Sequence, residues 1–410
     1  MHNVIKDLPT HILNPFKETH LDDAFSKVNR IYLFGICLAF GILTTIKQYT
    51  GHHIVCHGFT KYQHDFAEDF CWSQGLYTIK EAYDMPTSQV PYPGLVPEIN
   101  VCLEFTYTNG TKWTCPDGIQ PLTRLYHLWY QWIPFYFWLC AAGFYLPYLL
   151  FHSSEIGDIK PAIRLLHNTT EDNEIQLGEK IHKASVWLSA KIRVYLVSAG
   201  PLNFFLKRHK FFFVILFTKI ANFLAVVLVL YATENMFQIG SFLTYGVDMI
   251  SFNTGVDNQY QTNPKDKLFP KMIMCEIKRW GASGLEEEQG MCILAPNVVI
   301  QYFFLIFWFL LMMALVVNIF SLLFTTSGML FTLGQYRRLL HHSFMQDNPM
   351  RKHVYFAIGT SGRVTMDILS HNIPPANFEK LYDSLCKLMV EDKGDKSNVY
   401  SNEQTLNIDS

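Results

Sequence analysis

The sequence predicts an all-α, four-helix transmembrane bundle with disulfide-bonded α/β loops outside the membrane and a helical domain in the cytosol. Half of the 410 residues are hydrophobic, and they concentrate in four runs that contain no Asp or Glu. Six of the nine cysteines lie in two of the loops that connect these runs. Because a helix needs about 20 apolar residues to cross the hydrocarbon layer, each run predicts one membrane span.

The four predicted spans divide the chain into nine segments. We expect the spans at 29–49, 131–151, 211–233 and 298–325. They separate an N-terminal segment (1–28), a first loop (50–130), a middle loop (152–210), a second loop (234–297) and a C-terminal region (326–410). Residues 1–28 contain no apolar run of the signal-peptide kind, so we expect the first span to direct its own insertion.

The distribution of basic residues predicts that both termini are cytosolic. The middle loop carries nine Lys or Arg against six acidic residues. By contrast, residues 50–125 carry four against eight, and the second loop carries five against eight. Since Lys and Arg next to spans favour the cytosolic side, the first and second loops should be extracellular.

Local patterns predict the structure of the loops and the C-terminal region. The segment 101–107 reads as a strand, which favours a mixed α/β fold for the outer loops. Helices are expected at 174–198 and at 377–388, where apolar residues recur at steps of three and four. The final residues, 393–410, are polar and are expected to be disordered.

The cysteines separate by compartment. Cys56, Cys71, Cys102, Cys115, Cys275 and Cys292 lie in the two outer loops, whereas Cys37, Cys140 and Cys386 lie in spans or cytosol. An even number of cysteines on the oxidising side predicts three disulfides. Six cysteines allow fifteen pairings, and their spacing does not choose among them. The alternative is that these cysteines are free and buried.

Several function classes are excluded or disfavoured by composition. A net charge of −2 argues against a nucleic-acid partner. The absence of carboxylates from the runs removes the usual basis for a proton-coupled transporter. We find no catalytic residues, no nucleotide-binding loop and no cofactor motif, so an enzyme is not predicted. The cluster of His52, His53, Cys56 and His57 suggests zinc, but a disulfide-bonded Cys56 could not be a ligand, and no metal site is predicted.

A motif at the start of the second span points to a family. The chain reads Tyr130-Gln131-Trp132-Ile133-Pro134, an aromatic cluster followed by a proline in a predicted helix. An aromatic belt and a proline kink would account for it physically. The order of residues, however, resembles the signature of innexins. The Cys71-Trp72 pair, Cys56, and the second-loop sequence around Cys275 and Cys292 resemble the same family.

The resemblance implies a structure and a function. It implies that Cys56 pairs with Cys292 and Cys71 with Cys275, which leaves Cys102 and Cys115 to form a third bridge. It also implies an octameric large-pore channel that passes ions and small molecules, as a gap junction between cells or as an unpaired hemichannel of the plasma membrane. The N-terminal segment would line the pore's narrowest part with His2, Asn3 and Val4.

Partners follow from the same resemblance. We expect oligomers with the same or other innexin subunits, contacts with membrane lipids, and possible docking to a hemichannel of an adjacent cell. Asn109-Gly110-Thr111 is a glycosylation sequon on the outer side. A glycan there would obstruct docking and motivates a hypothesis of hemichannel function. The alternative from another class is a non-conducting four-span adhesion or scaffold protein.

Overall fold

The structure is a computed structural model that describes most of the chain. The described residues are 24–50, 54–59, 64–83, 85, 90–96, 105–106, 112–113, 123–153, 159–167, 174–196, 201–237, 239–255, 262–281, 284–330 and 332–406. They fall into two compact units. The first consists of the described residues within 1–31, 145–223 and 317–410, and the second of those within 32–144 and 224–316.

Four helices are long and apolar enough to cross a membrane, which confirms the predicted transmembrane fold class. We call them spans 1 to 4; they are Phe25–Tyr49, Trp129–His152, Lys207–Met236 and Asn297–Ser327. Each contains or nearly contains the run predicted from the sequence. Two of the helices continue beyond their apolar parts, to give Pro201–Met236 and Asn297–Leu330.

Spans 1 and 2 each begin with irregular helix. Span 1 starts with an α-helical turn, Ala24–Lys27, followed by a π-helix, Val28–Leu33, and a regular α-helix, Phe34–Tyr49. Span 2 starts with a 3₁₀-helix, Trp129–Trp132, before the α-helix Ile133–His152. Runs of π-helix are rare and often occur at functional sites. The sequence pattern gave no sign of either irregularity.

Two prolines lie in span 2. Pro134 is the second residue of its α-helix, which follows the 3₁₀-helix Trp129–Trp132. Pro147 lies in the interior of the same helix. A kink at Pro134 stays one physical account of the motif.

The second unit carries an antiparallel sheet built from both long loops. Its strands are β1 (Val55–His57), β2 (Leu76–Ile79), β5 (Arg124–His127), β6 (Met272–Gly281) and β7 (Gly284–Ile293). Their order is β1-β7-β6-β2-β5. The strands β6 and β7 form a long hairpin, in which Ile273, Cys275 and Ile277 are buried. This alternation is typical of a sheet with one buried face.

A second, two-stranded sheet lies in the same loop as the predicted strand 101–107. It consists of β3 (Phe105–Thr106) and β4 (Lys112–Trp113). The rest of the predicted strand lies outside the described residues.

The described part of the second unit also contains the helices α1 (His64–Gln74), α4 (Tyr245–Thr254) and α5 (Pro264–Leu268) and a 3₁₀-helix, Glu81–Tyr83. Helix α4 packs closely on span 4, because a Cβ at Gly246 would lie 2.1 Å from the Trp308 ring. The indole N–H of Trp308 donates to the Leu243 carbonyl at 3.0 Å. A glycine is therefore required at this contact.

The first unit has a helical core of its own. Its shorter helices are α2 (Lys160–His167), α3 (Glu174–Leu196), α6 (Thr332–His342), α7 (Pro349–Ala357), α8 (Gly359–Asn372) and α9 (Pro375–Leu406). The predicted stripe of α9 is its packing face, because Phe378, Leu381, Tyr382 and Leu385 are buried in this core.

Helix α9 extends to Leu406, past residue 393. The expected disorder of residues 393–410 stays a prediction.

Candidate functional site

Two disulfides join the first loop to the second loop. Cys56 on β1 is bonded to Cys292 on β7, and Cys71 on α1 is bonded to Cys275 on β6. These are the pairings that the family resemblance implied. They close segments of 236 and 204 residues, for which the chain-entropy model gives up to about 5 kcal/mol each.

The two disulfides lie side by side. The sulfur atoms of Cys56, Cys71 and Cys292 are all within 4.8 Å of one another. In β1 and β7, Cys56 and Cys292 are directly opposite in register, so their side chains project from the same face. Because these sulfurs are in disulfides, they are not thiolate ligands for a metal.

The Tyr130-Gln131 motif holds the first loop against span 2. The hydroxyl of Tyr130 and the side-chain amide of Gln131 both donate to the carbonyl of Trp72, at 3.2 and 2.5 Å. The rings of Trp72 and Tyr130 also contact each other, with centroids 4.5 Å apart. A carbonyl oxygen has two lone pairs and can accept both bonds. Since Trp72 follows Cys71, this clamp and a disulfide fix adjacent residues.

The rest of the motif has different surroundings. The amide of Gln48, near the end of span 1, donates to the backbone carbonyl of Gln131 at 3.3 Å and so joins spans 1 and 2. Trp132 is 65% exposed, while Pro134 is buried in the first helical turn. The motif therefore combines two hydrogen-bonding residues, one surface aromatic and one helix-starting proline.

A buried histidine lies next to the motif. His127 Nε2 is 2.7 Å from Thr78 Oγ1, and the Trp129 indole N–H donates to His127 Nδ1 at 3.4 Å. Since Nδ1 accepts, Nε2 carries the proton and donates to Thr78. Burial lowers the pKa of His127 to about 4, so the imidazole is neutral near pH 7.

An aromatic cluster underlies the sheet. The ring of Phe304 in span 4 contacts Phe137, Phe237 and Phe269 at centroid distances of 5.4, 5.6 and 5.2 Å. At the start of the same span, the buried Asn297 amide donates to the Pro270 carbonyl at 2.7 Å. These contacts fix the start of span 4 beneath the second loop. The sequence analysis missed this cluster, since phenylalanine in an apolar run gives no signal of which neighbours it meets.

The first unit contains a buried polar cluster formed by spans 1, 3 and 4. The Asn29 amide donates to the backbone carbonyl of Asn222 at 3.0 Å, and the Asn318 amide donates to Asn29 Oδ1 at 3.0 Å. Nearby, Lys219 Nζ donates to Ser26 Oγ at 2.8 Å. Polar groups away from water must be satisfied within the protein, so these contacts specify how the three spans pair.

Lys219 and Asn222 are polar residues inside the third apolar run, and both are at most 4% exposed, as expected for polar side chains that face protein rather than lipid. Asn29 and Asn318 were not singled out, although an isolated asparagine in an apolar run is a recognisable signal of an inter-helix hydrogen bond.

Other predicted site residues lie outside the described part of the chain. They are His2, Asn3, Val4, Cys102, Cys115 and Asn109. The Cys102–Cys115 bridge stays a prediction. A peptide map of the unreduced protein in which neither cysteine is alkylated would support it. An alkylated cysteine at either position would refute it.

Comparison with known proteins gives a consistent result. A family model described as Innexin matches residues 22–389. The chain is 29% identical over 283 residues to "Innexin inx2" of Drosophila melanogaster, covering 68% of this chain and 67% of that protein. It is 26% identical over 284 residues to "Innexin inx2" of Schistocerca americana, covering 68% and 69%. It is 27% identical over 282 residues to "Innexin shaking-B" of Drosophila melanogaster, covering 68% and 66%.

Proposed function

Because the chain belongs to the innexin family of gap-junction channel proteins, we propose that it is a subunit of an octameric large-pore channel of the plasma membrane. One observation carries this proposal. The family match, residues 22–389, includes all four apolar helices and both disulfides. An adhesion or scaffold protein would need the same spans, but it would have no need of the family's order of residues around both loops.

The proposed topology places both termini in the cytosol. The disulfide-bonded sheet would face the oxidising exterior. The helical core of the first unit would then be cytosolic, next to the basic residues Lys207, Arg208 and Lys210 at the start of span 3. Ser26, inside the N-terminal segment (1–28), accepts a hydrogen bond from Lys219 of span 3. That contact holds the end of the segment against span 3 and supports the proposal that the segment enters the cytosolic mouth of the pore, with His2, Asn3 and Val4 near the narrowest part.

Permeation in this proposal is passive. Spans 1, 2 and 4 (Phe25–Tyr49, Trp129–His152 and Asn297–Ser327) contain no Asp or Glu. Span 3 contains one acidic residue, Glu234, near its end. Ions and small metabolites would pass according to pore width and lining charge, without losing their hydration shells.

Two features bear on docking between cells. The sequon at Asn109 favours an unpaired hemichannel, because a glycan would obstruct the outer surface. The end of the β6–β7 hairpin favours docking, since the cross-strand partners Trp280 and Leu285 are 84% and 52% exposed. Contiguous exposed apolar patches mark protein contacts, and this pair would contribute to one.

The test is to express the chain in cells that lack other large-pore channels and to record current and dye uptake in single and paired cells. Current in single cells supports the channel, and junctional coupling adds docking. An Asn109→Gln variant separates the two docking hypotheses, because gain of coupling on removal of the sequon would show that a glycan blocks it. Absence of current with normal surface expression contradicts the proposal that this chain alone forms a pore.

The oligomer is tested by mass. Eight chains of 47.5 kDa give a protein mass of about 380 kDa after detergent is subtracted. A monomeric mass in every mild detergent would favour the adhesion or scaffold alternative.

A further inference from the structure

A pocket opens beside the ends of three spans in the second unit. Its volume is about 300 Å³, at the lower end of the range for ligand sites. Its walls come from the last two turns of span 1, the start of span 2 with Tyr130, and the first two turns of span 4. Trp72 of α1, the clamp partner of Tyr130, also lines it. Nothing in the proposed channel function requires this pocket.

The depth of the pocket follows from the helix ends. Leu43 lies six residues before Tyr49, where span 1 ends, and Phe303 lies six residues after Asn297, where span 4 begins. At 1.5 Å per residue, both are about 9 Å from the helix ends. With the helix ends taken as the level of the membrane interface, the pocket reaches about 9 Å towards the hydrocarbon layer.

The lining changes from polar to apolar along this depth. Lys47, Gln48 and Thr50 line the shallow end, near the interface, whereas Leu43, Ile300 and Phe303 line the deep end. Thr44, which lies deeper, has its hydroxyl bound to the carbonyl of Phe40 at 2.7 Å. A bilayer lipid has the same order of polarity from its headgroup to its chain.

The polar groups at the shallow end are not equivalent. The Gln48 amide donates to Gln131, and the Thr50 hydroxyl bonds to the Ile46 carbonyl. Lys47 is exposed and makes no ion pair or hydrogen bond with any residue that the structure describes. Its ammonium group is thus available to an anionic group at the mouth of an otherwise apolar pocket.

We propose that this pocket binds a phospholipid of the surrounding bilayer. One acyl chain packs against Leu43, Ile300 and Phe303, and the phosphate lies at Lys47. The charge at the mouth favours a phosphate-bearing lipid over one that lacks phosphate, because Lys binds phosphate as a point charge. A lipid bound there contacts spans 1, 2 and 4 at once, directly beside the clamp that attaches the first loop.

The experiment uses the full-length protein in phosphatidylcholine vesicles that contain a trace of phosphatidylcholine with a photoreactive group at the end of one acyl chain. After irradiation, labelled peptides are quantified by mass spectrometry. We expect the segments 43–50 and 296–303 to be labelled several-fold more than the part of span 2 around Leu139, which is 74% exposed. Equal labelling of all exposed helix faces would overturn the proposal.

Matched variants test the pocket and the phosphate separately. Val299→Trp, and independently Ile300→Phe, fill the pocket and should reduce its labelling several-fold, while Leu139→Trp should not. Lys47→Met should reduce labelling by the phospholipid but not by a photoreactive diacylglycerol, which lacks phosphate, and Lys47→Arg should preserve both. Oligomeric mass and surface expression confirm that each variant has folded.

Three results would contradict the proposal. The first is labelling that neither filling variant changes. The second is equal loss of both probes in Lys47→Met, which would show that the phosphate plays no part. The third is protection of the pocket from lipid together with cross-linking of its residues to a neighbouring chain, which would show that a second subunit occupies it.

Discussion

Acidification should loosen the sheet at His127. In the folded protein His127 is 3% exposed, donates to Thr78 and accepts from Trp129. The protonated imidazole would need two acceptors, but Trp129 offers only a donor N–H. Because burial lowers the pKa from 6.5 to about 4, folding keeps the ring neutral at pH values where the exposed ring binds a proton.

The sign and size of this effect follow from proton linkage. In the opened state, in which the sheet has separated and His127 is exposed, the ring binds more protons between pH 6.5 and 4 than it does in the folded state. The contribution of His127 to the stability of the sheet is therefore fully present above pH 6.5 and is lost as the pH falls towards 4. The difference between the two pKa values corresponds to about 3 kcal/mol when it is fully expressed. Between pH 7 and pH 5.5 the expected loss is about 1 kcal/mol, or about five- to tenfold in the opening equilibrium.

The assay is hydrogen exchange of the amides in β2 and β5, which flank this hydrogen bond. Exchange rates of the full-length protein are divided by those of an unstructured peptide at the same pH, so that intrinsic pH dependence cancels. We expect the ratio to rise about five- to tenfold between pH 7 and 5.5. Amides of α9 provide an internal reference in the other unit.

The control is His127→Gln, which offers a donor and an acceptor but does not titrate. Its exchange ratio should be flat over this pH range, even if its absolute stability differs. A wild-type ratio that does not change with pH, or an equal change in His127→Gln, would refute the assignment of the effect to this histidine.

Three further predictions concern single contacts. Gln131→Leu removes one of two hydrogen bonds to the Trp72 carbonyl and should lower the free energy of unfolding by about 1 kcal/mol. The thermal midpoint in detergent should fall, and it should not fall in a Trp132→Leu control. An unchanged midpoint in Gln131→Leu would show that the bond is not formed. Asn318→Leu removes the hydrogen-bond donor to buried Asn29 Oδ1 and should lower the free energy of unfolding by about 1–3 kcal/mol. The thermal midpoint in detergent measures this loss. A higher midpoint would contradict the buried network. Burial raises the pKa of the Cys386 thiol to about 12, so this cysteine should resist maleimide at pH 7.5 in the folded protein and react only after denaturation.

Hydropathy was sufficient to find the four spans, because the bilayer imposes the same requirement on every spanning helix. The ends were less well predicted. Span 3 belongs to a helix that starts at Pro201, ten residues before its apolar run, and residues 207–209 of this extension hydrogen-bond to Thr360 and Ser361 of α8.

The site was predictable where local chemistry determined it. The number and placement of the cysteines predicted disulfides between outer loops, but not which partners pair. The choice of Cys292 for Cys56 depends on the register of β1 with β7, a contact between residues 236 positions apart. That register is a tertiary property, and only family resemblance suggested it from the sequence.

Other features could not be read from local sequence. The Tyr130-Gln131 motif was recognised, but the acceptor of its hydrogen bonds, the Trp72 carbonyl, is a backbone atom with no sequence signature. His127 carried no signal either, since its low pKa arises from burial between strands.

The central claim is that this chain is a subunit of a conducting large-pore channel, and a planar bilayer recording of the purified oligomer tests it most directly. The account predicts discrete, large openings in symmetric salt, together with dye release from vesicles made from the same preparation. A reduced and alkylated sample, in which the two loop disulfides are broken, should lose these openings. A correctly assembled oligomer that gives silent bilayers and retains dye would contradict the claim.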